Sequence, residues 1–193
     1  MQAQPDSQAL AKASNMSIPE YFDVVDERDI VIDKKSRSDC LDQGLLHRAI
    51  LVFLTNPNGE VYIQKRASNL LFYPGYWSAS VTGHVSAGET YTQAAKREVK
   101  EELGINCELT EICKFQTPKW KIGDKIEWEF ITVFESTCAS AITLSDESEG
   151  GRFVSKEEFK QLVTAKPETF TPDTLLALQY YPAKTAEPRQ SLH

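Results

Sequence analysis

Cysteines are scarce in this sequence, and none lies near another. Only four occur in 193 residues, with no CxxC pair and no spacing typical of a zinc site. Scattered cysteines without a secretion signal favour reduced thiols in the cytosol, so we expect a cytoplasmic protein. The four positions are Cys40, Cys107, Cys113 and Cys138.

A long apolar run and an excess of positive charge are missing as well. No stretch approaches the roughly 20 apolar residues that a membrane-spanning helix needs. The polar first 15 residues contain no cationic start followed by an apolar segment, so we expect no signal peptide. The net charge of −7 argues against broad attraction to a nucleic acid polymer. An acidic protein that acts on an anion must supply positive charge locally, from metal ions and a few basic side chains.

The length and composition fit one globular domain. A chain of 193 residues can bury a full core, and 41% apolar with 25% charged residues is ordinary for this class. Residues 1–19 are polar and have little to bury, so we expect a disordered tail there and another at 183–193. The domain is therefore expected to span 20–182, as a monomer or a homodimer that contacts no membrane.

Apolar periodicity and turn residues predict an α/β fold. The predicted strands are a hairpin at 21–33, then 47–55, 61–66, 105–114 and 126–134, with a polar turn at 119–125. The predicted helices are 90–103, 155–162 and 172–181. Residues 34–46 are expected to be a polar connector and residues 69–76 an aromatic loop.

The most informative segment is 83–105, whose second half is the predicted helix. Glu98 and Glu102 are four residues apart, so they lie one above the other on one helix face, and Glu101 borders that face. Like charges at this spacing repel one another. A hard divalent cation bound through oxygen would neutralise them, which predicts a metal-binding helix. A solvated acidic helix is the alternative.

The fixed residues of this segment resemble the Nudix box, G-x5-E-x7-R-E-U-x-E-E-x-G-U, in which U is aliphatic. They are Gly83, Glu89, Arg97, Glu98, Val99, Glu101, Glu102, Gly104 and Ile105. The resemblance implies the Nudix fold, a mixed β-sheet sandwiched between α-helices. It also implies a Nudix hydrolase that uses Mg²⁺, or Mn²⁺ in its place, to cleave a diphosphate bond in a small-molecule substrate.

The same resemblance implies a set of metal ligands. Glu98 and Glu102 would bind the cation, with Glu101 as a third ligand or as the base that activates water. The backbone carbonyl of Gly83 would join them. Substrates of this kind are nucleoside diphosphate derivatives or related organic diphosphates.

Arg97 and Glu89 are implied to act through geometry. Their ion pair would brace the loop of the motif against its helix and so orient the metal ligands. An ordinary helical ion pair between Arg97 and Glu101 is the alternative interpretation.

A catalytic base in this superfamily often comes from outside the box. Residues 145–151 form an acidic segment that we interpret as flexible, and Glu147 or Glu149 would be able to reach the metals from it. Glu149 is our candidate. A solvated acidic loop without a catalytic role is the alternative.

A second resemblance points to one branch of the superfamily, that of isopentenyl-diphosphate isomerase, and covers about residues 23–134. It rests on residues 47–50, 59–60, 64–67, 73–77 and 83–84. Those isomerases bind a metal through three histidines and two glutamates, and they use a cysteine just before a Gly-His pair. Four of the metal positions are matched here, by His47, His84, Glu127 and Glu129, and would form a second metal site.

This sequence departs from the isomerases at two places. Cys40 stands where they have a histidine, and Thr82 stands where they have the catalytic cysteine. Isomerisation needs an acid and a base on opposite faces of the alkene, and a threonine hydroxyl is a poor substitute for a thiol. The complete box therefore favours a hydrolase over an isomerase with a different acid, or a non-catalytic module that senses a nucleotide. The alternative to a second metal site is that these histidines and glutamates have only structural roles.

The aromatic loop and the residues beside it are candidates for substrate binding. Arg66 would meet a phosphate, and Tyr76 or Trp77, or their neighbours Phe72 and Tyr73, would stack on a base. Aromatic side chains in such a loop also serve as core residues, which is the alternative.

Overall fold

The chain folds around one large mixed sheet. The computed structural model describes residues 20–181, so the tails predicted at 1–19 and 183–193 lie outside the described residues. The strands are β1 (Tyr21–Val25), β2 (Val31–Ser36), β3 (His47–Thr55), β4 (Val61–Arg66), β5 (Trp77–Ser78), β6 (Val81–His84), β7 (Thr110–Gln116), β8 (Trp120–Ile122), β9 (Lys125–Glu127), β10 (Glu129–Thr137) and β11 (Ser148–Val154). The helices are α1 (Arg37–Gln43), α2 (Tyr91–Leu103), α3 (Lys156–Ala165) and α4 (Pro172–Ala177), with a short 3₁₀ turn at Pro167–Thr169.

The main sheet has the strand order β11-β4-β3-β10-β7. Strand β3 runs parallel to β10, and the other neighbours in this order are antiparallel, which makes the sheet mixed. Two short strands attach to the middle of the sheet, β5 to β4 and β6 to β3. The pairs β1–β2 and β8–β9 form separate hairpins.

Strands β3 and β4 separate soon after the turn that joins them. They share one register pair, Thr55 with Val61. Beyond it β3 pairs with β6, and β4 pairs with β5 on one side and β11 on the other. The sheet therefore opens between its two central strands, and this opening leads into the cleft described below.

Helices cover both faces of the sheet. On one face α2 packs its apolar stripe, including Val99 and Leu103, against residues of β3 such as Ile50. On the other face α3 and α4 contribute Phe159 and Ala177 to a second apolar cluster. This arrangement confirms the predicted mixed sheet sandwiched between helices.

The motif helix α2 begins and ends where its sequence requires. Thr90 accepts a hydrogen bond from the backbone N–H of Gln93, and the Gln93 side chain accepts one from the Thr90 N–H, which completes a capping box. Gly104 ends the helix with φ of 69°, a conformation that favours glycine. The helix is thus fixed at both ends before the site uses it.

The N-terminal hairpin forms as predicted, but the connector after it is partly helical. Helix α1 is capped by Ser36, whose hydroxyl accepts from Asp39 N–H at 3.1 Å, and it ends at Gly44 with φ of 61°. The segment 34–46, predicted only as a polar connector, contains the end of β2 and this helix, which was missed because a helix of seven residues carries little apolar periodicity. Ser36 and Gly44 are the signals that could have located it.

Two other predictions need correction. The strand predicted at 105–114 is displaced toward the C-terminus and forms as β7, while the polar turn at 119–125 lies within the β8–β9 hairpin. The segment 145–151, interpreted as flexible, runs into edge strand β11, which pairs with β4. This strand is hard to predict from the sequence because it contains Gly150 and Gly151, and glycine has low strand propensity.

Candidate active site

A cleft of about 290 Å³ opens beside the N-terminal hairpin, β6, α2 and the aromatic loop. Most of its charged lining residues are acidic, and three arginines and one histidine also line it. The charged and ionisable lining residues are Glu20, Glu98, Glu101, Glu127, Glu129, Glu147, Asp173, Arg37, Arg66, Arg97 and His84. Because so many carboxylates face one space, an anionic substrate requires additional positive charge there.

Glu98 lies directly against β6. A Cβ atom added at Gly83 would come within 2.6 Å of Glu98 Oε1, so only glycine leaves room for this carboxylate. The side chain is 14% exposed, and Arg97 donates a hydrogen bond to it at 2.7 Å. Burial nevertheless raises the pKa of Glu98 to about 7.

Glu102 lies one helical turn further along and is more deeply buried, with 4% of the residue exposed. Gln64 on β4 donates from Nε2 to Glu102 Oε2 at 2.5 Å. The other carboxylate oxygen, Oε1, is buried and has no hydrogen-bond partner among the described residues. Burial raises the pKa of Glu102 to about 8.

Arg97 joins the motif loop to the motif helix. It forms a two-pronged ion pair with Glu89 and donates to the His84 carbonyl oxygen at 3.0 Å. Its contact with Glu101 is also present at 3.2 Å, but the Glu101 side chain is 59% exposed. The hydrogen bonds with Glu89 raise the pKa of Arg97, so the guanidinium stays charged. Both pairs considered from the sequence therefore form, and the one with Glu89 is the more buried.

The chemistry of this acid cluster fits a divalent cation. Glu98, Glu101 and Glu102 offer hard oxygen ligands. Burial raises the pKa values of Glu98 and Glu102, so an added positive charge would favour their ionised forms. A buried carboxylate oxygen without a donor is costly, and a cation would satisfy it.

The structure separates the two candidates for an external base. Glu147 lines the cleft, and its charge is close enough to contribute to the raised pKa values of Glu98 and Glu102. Its backbone carbonyl accepts from Ala67 N–H at 2.9 Å, which fixes the segment at the end of β4. Glu149 is not among the residues that line the cleft; its carboxylate instead accepts from Ser68 N–H at 2.9 Å.

These contacts favour Glu147 over Glu149 as an external base, and the role of Glu149 stays a prediction. Glu149 lies at a register shift in β11, between Ser148 and Gly150, and its carboxylate contacts Ser68 and Lys65. Glu147, two residues earlier and outside the strand, keeps its side chain at the cleft.

A second cluster brings together His47, His84 and Glu129, whose ligand atoms lie within 4.8 Å of one another. The Nδ1 atom of His47 lies 2.8 Å from the Leu45 carbonyl oxygen, so Nδ1 carries the proton. The Nε2 lone pair therefore faces Glu129 at 3.6 Å without a donor, an arrangement that suits a cation. Phe22 stacks on both imidazole rings, with ring centroids 5.0 and 4.7 Å apart.

Glu129, Glu127 and Cys40, which stand at metal positions of the isomerases, lie in different environments. Although burial opposes it, the neighbouring imidazoles of His47 and His84 hold the pKa of Glu129 well below its usual range. Burial raises the pKa of Glu127 to about 9, so this carboxyl is neutral near pH 7 without a ligand. Cys40 packs against Phe22 in a small apolar cluster, and burial raises the pKa of its thiol to about 11. Neither Glu127 nor Cys40 belongs to the compact group of three.

The substrate-binding predictions are divided by the structure. Arg66 lines the cleft, donates to the Phe72 carbonyl oxygen at 3.2 Å and has no ion pair with a carboxylate among residues 20–181. Tyr73 lines the cleft, but Tyr76 does not; its ring packs edge-on against Tyr73 at 5.5 Å. Trp77 packs against the apolar core. Tyr76 and Trp77 therefore lie outside the lining of this cleft, and their contact with a substrate stays a prediction.

The sequence matches one known protein family. The family described as NUDIX domain matches residues 45–174, more than half of the chain. The chain belongs to the Nudix family. It is an enzyme of the Nudix hydrolase type, in agreement with its complete motif and with the names of several relatives.

Two curated relatives illustrate the position of this Nudix protein. An uncharacterised Nudix hydrolase of Pseudomonas aeruginosa is 33% identical over 159 residues, which cover 81% of this chain and 90% of the relative. An isopentenyl-diphosphate Δ-isomerase of Serratia proteamaculans is 31% identical over 156 residues, which cover 79% of this chain and 86% of the isomerase.

Solved structures show the same Nudix fold. A crystal structure of a Deinococcus radiodurans protein has a TM-score of 0.68 at 24% identity, and the match covers 84% of this chain and 99% of that one. The NUDIX domain of a Shewanella oneidensis protein complexed with ADP ribose has a TM-score of 0.56 at 12% identity, covering 95% of this chain and all of that one. None of the helices in residues 20–181 is long and apolar enough to cross a membrane.

The Nudix cleft also contains residues that sequence reasoning missed. Thr171 and Asp173, at the start of α4, line it. Burial raises the pKa of Asp173. The sequence predicts a helix at this position, but the approach of its first turn to the cleft depends on long-range packing, including a bridge between Trp77 and Phe170.

Proposed function

We propose that this Nudix protein is a Mg²⁺-dependent hydrolase that cleaves a diphosphate bond in a nucleoside diphosphate derivative or a related organic diphosphate. Mn²⁺ is expected to substitute. The observation that carries the proposal is the buried, unpartnered oxygen of Glu102 one turn from Glu98, whose carboxylate lies against Gly83. Since the four cysteines form no disulfide, the protein is compatible with the reducing cytoplasm that we propose for it.

Glu98, Glu102, Glu101 and the Gly83 carbonyl are the proposed metal ligands. A divalent cation at such a site neutralises phosphate oxygens and makes bound water more acidic. The two-pronged bond from Arg97 to Glu89 holds the motif loop on the helix, which fixes Gly83 relative to Glu98. These two residues thus contribute to catalysis by orienting ligands.

Proton removal and phosphate binding are assigned to residues around this centre. Glu101 and Glu147 both line the cleft and are the proposed bases for the attacking water. Arg66 is the proposed phosphate contact because its guanidinium lies in the cleft without a carboxylate partner among the described residues. Tyr73 and Phe72 provide an apolar wall for the remainder of the substrate.

A second candidate function is isomerisation of isopentenyl diphosphate. The cluster of His47, His84 and Glu129 favours it, and we propose this cluster, with Glu127 nearby, as a second cation site. Thr82 opposes isomerisation because its hydroxyl is far less acidic than a thiol. Its Oγ1 atom lies 3.5 Å from Arg66 Nη1, where it fits a role in orienting the arginine.

One substrate screen tests the proposal. The protein would be incubated with Mg²⁺ or Mn²⁺ and a panel of diphosphates, and released phosphate and organic products would be measured. The panel includes nucleoside diphosphates and triphosphates, prenyl diphosphates, ADP-ribose and a dinucleoside tetraphosphate. The last two enter because one structural neighbour is complexed with ADP ribose and another is an Ap4A hydrolase. Metal-independent turnover, or none with any compound, would count against the proposal.

A further inference from the structure

Gln64 is a buried polar residue outside the Nudix motif that contacts one of its glutamates. It lies on β4, with 2% of its surface exposed, and its side chain meets Glu102 from across the sheet–helix interface. The hydrogen bond from Gln64 Nε2 to Glu102 Oε2 measures 2.5 Å. Hydrogen bonds to a charged acceptor are stronger than neutral ones, so this contact restricts the carboxylate.

The orientation of the amide follows from chemistry. When Glu102 binds a cation it is ionised and accepts hydrogen bonds but donates none, so the amide NH₂ group must then face it. This leaves Gln64 Oε1 directed elsewhere, and it too is buried without a partner among the described residues, like Glu102 Oε1. A pair of joined side chains therefore presents two buried acceptor oxygens that lack a donor.

This arrangement is energetically unfavourable unless a ligand supplies the missing partners. Each unpartnered buried acceptor has lost the hydrogen bonds that water would give it, which destabilises the folded state. An apolar residue at position 64 would avoid one of these unpartnered acceptors. The polar residue is consequently explained better by a role toward Glu102 than by packing.

We propose that Gln64 is a positioning residue of the metal site. Its amide holds Oε2 of Glu102 and leaves Oε1 available for the divalent cation. This inference rests on the proposed function, because it assigns Gln64 a role toward the cation that Glu98 and Glu102 would bind. Gln64 itself is not among the residues that line the cleft.

The test measures cation binding directly. Purified full-length wild type, Gln64→Met and Tyr62→Phe would be titrated with Mn²⁺ alone, with unbound Mn²⁺ followed by electron paramagnetic resonance. Loss of an outer partner of a metal ligand typically weakens affinity about 10–100-fold, which is the shift expected for Gln64→Met. Tyr62 lies on the same face of β4 two residues earlier, so Tyr62→Phe controls for polar-group removal at this interface.

The expected pattern separates positioning from folding. Gln64→Met should match Tyr62→Phe in metal-free thermal stability, bind Mn²⁺ more weakly, and regain wild-type kcat when Mg²⁺ is raised to saturation. If Gln64→Met fails to fold, Gln64→Asn retains the amide but withdraws it by one methylene, and the same weakening is expected. Equal Mn²⁺ affinity in wild type and the folded variant would overturn this inference alone. Absence of Mn²⁺ binding in wild type would overturn the metal-dependent function itself.

Discussion

Arg97 and Glu89 meet in a parallel, two-pronged ion pair. The distances from Nε to Oε1 and from Nη2 to Oε2 are both 2.9 Å. The same carboxylate accepts from Ser86 N–H at 3.0 Å, and hydrogen bonds with Arg97 hold the pKa of Glu89 below its usual range. The pair therefore connects the loop before the motif helix to the middle of that helix.

Removing either member of this pair should lower activity and thermal stability together. Arg97→Ala leaves Glu89 partly buried and unpaired, and Glu89→Ala does the same to Arg97, so each single change is costly. The double variant should lose much less than the sum, since contacting residues couple by about 0.5–3 kcal/mol. Activity assays and thermal unfolding of all four proteins measure this coupling. Strict additivity in both would mean that the pair does not brace the motif.

Loss of either buried motif glutamate should nearly abolish hydrolysis. Glu98→Gln and Glu102→Gln remove ligand charge at the proposed metal site, and each should reduce kcat by roughly 10²-fold or more. EDTA should abolish wild-type activity, and Mg²⁺ or Mn²⁺ should restore it. Glu108→Gln is the matched control because this side chain is 95% exposed. Full activity of a folded Glu98→Gln, Glu102→Gln double variant would contradict the assignment.

The two acids of the 145–151 segment should behave differently. Glu147→Gln should reduce kcat by about 10²–10⁴-fold if this carboxylate takes the proton from water, because general bases contribute on that scale. Glu149→Gln should leave kcat near the wild-type value, since its carboxylate is bound to Ser68 outside the cleft. Steady-state kinetics at saturating Mg²⁺ make the comparison. If only Glu149→Gln reduces kcat, Glu149 is the base. If neither variant reduces kcat, Glu101 is the remaining candidate.

The protein should not interconvert isopentenyl and dimethylallyl diphosphate. Thr82 occupies the position where the isomerases carry their cysteine, and its hydroxyl lies beside Arg66. Incubation with labelled isopentenyl diphosphate and separation of the products checks this expectation. Isomer formation at ordinary enzyme turnover, about 1–10³ per second, would reverse the preference for a hydrolase.

Metal-free protein should lose stability as the pH rises from about 5 to 8. In the folded state burial raises the pKa values of Glu98 and Glu102 to about 7 and about 8, above the ordinary value of 4.5. The folded state therefore binds more protons than the unfolded state in this window, and stability falls with increasing pH. Thermal unfolding in EDTA should show this fall, and Mg²⁺ should raise the Tm more at pH 8 than at pH 6. Glu98→Gln should flatten the EDTA profile; an unchanged slope would show that Glu98 is not the source.

The motif helix was the part of the site most accessible from sequence. Its capping residues, apolar stripe and acidic spacing are local, so Thr90, Gly104, Glu98 and Glu102 could be placed on one helix without tertiary information. Strand β3 could be placed for a similar reason, because its long apolar run is buried in the centre of the sheet. The ion pair between Arg97 and Glu89 came from the resemblance and is present in the structure.

The residues that escaped prediction depend on contacts between distant segments. Glu147 reaches the cleft because Ala67 N–H holds its backbone, a contact between residues 80 positions apart in the chain. Asp173 reaches it because α4 packs beneath β5. Gln64 looks like any polar residue in a strand, and only the packing of β4 against α2 reveals its partner Glu102. Local patterns carry no information about such encounters.

The divergence of β3 and β4 beyond their register pair divides the enzyme into two structural arms. One arm, β3 with β6, carries Gly83 against the motif helix; the other, β4 with β5 and β11, carries the aromatic loop at 69–76. Insertions or substitutions in that loop can reshape the substrate wall without displacing Gly83 from Glu98. Substrate preference can therefore change while the acid cluster stays in place, so related proteins with the same motif can act on different molecules.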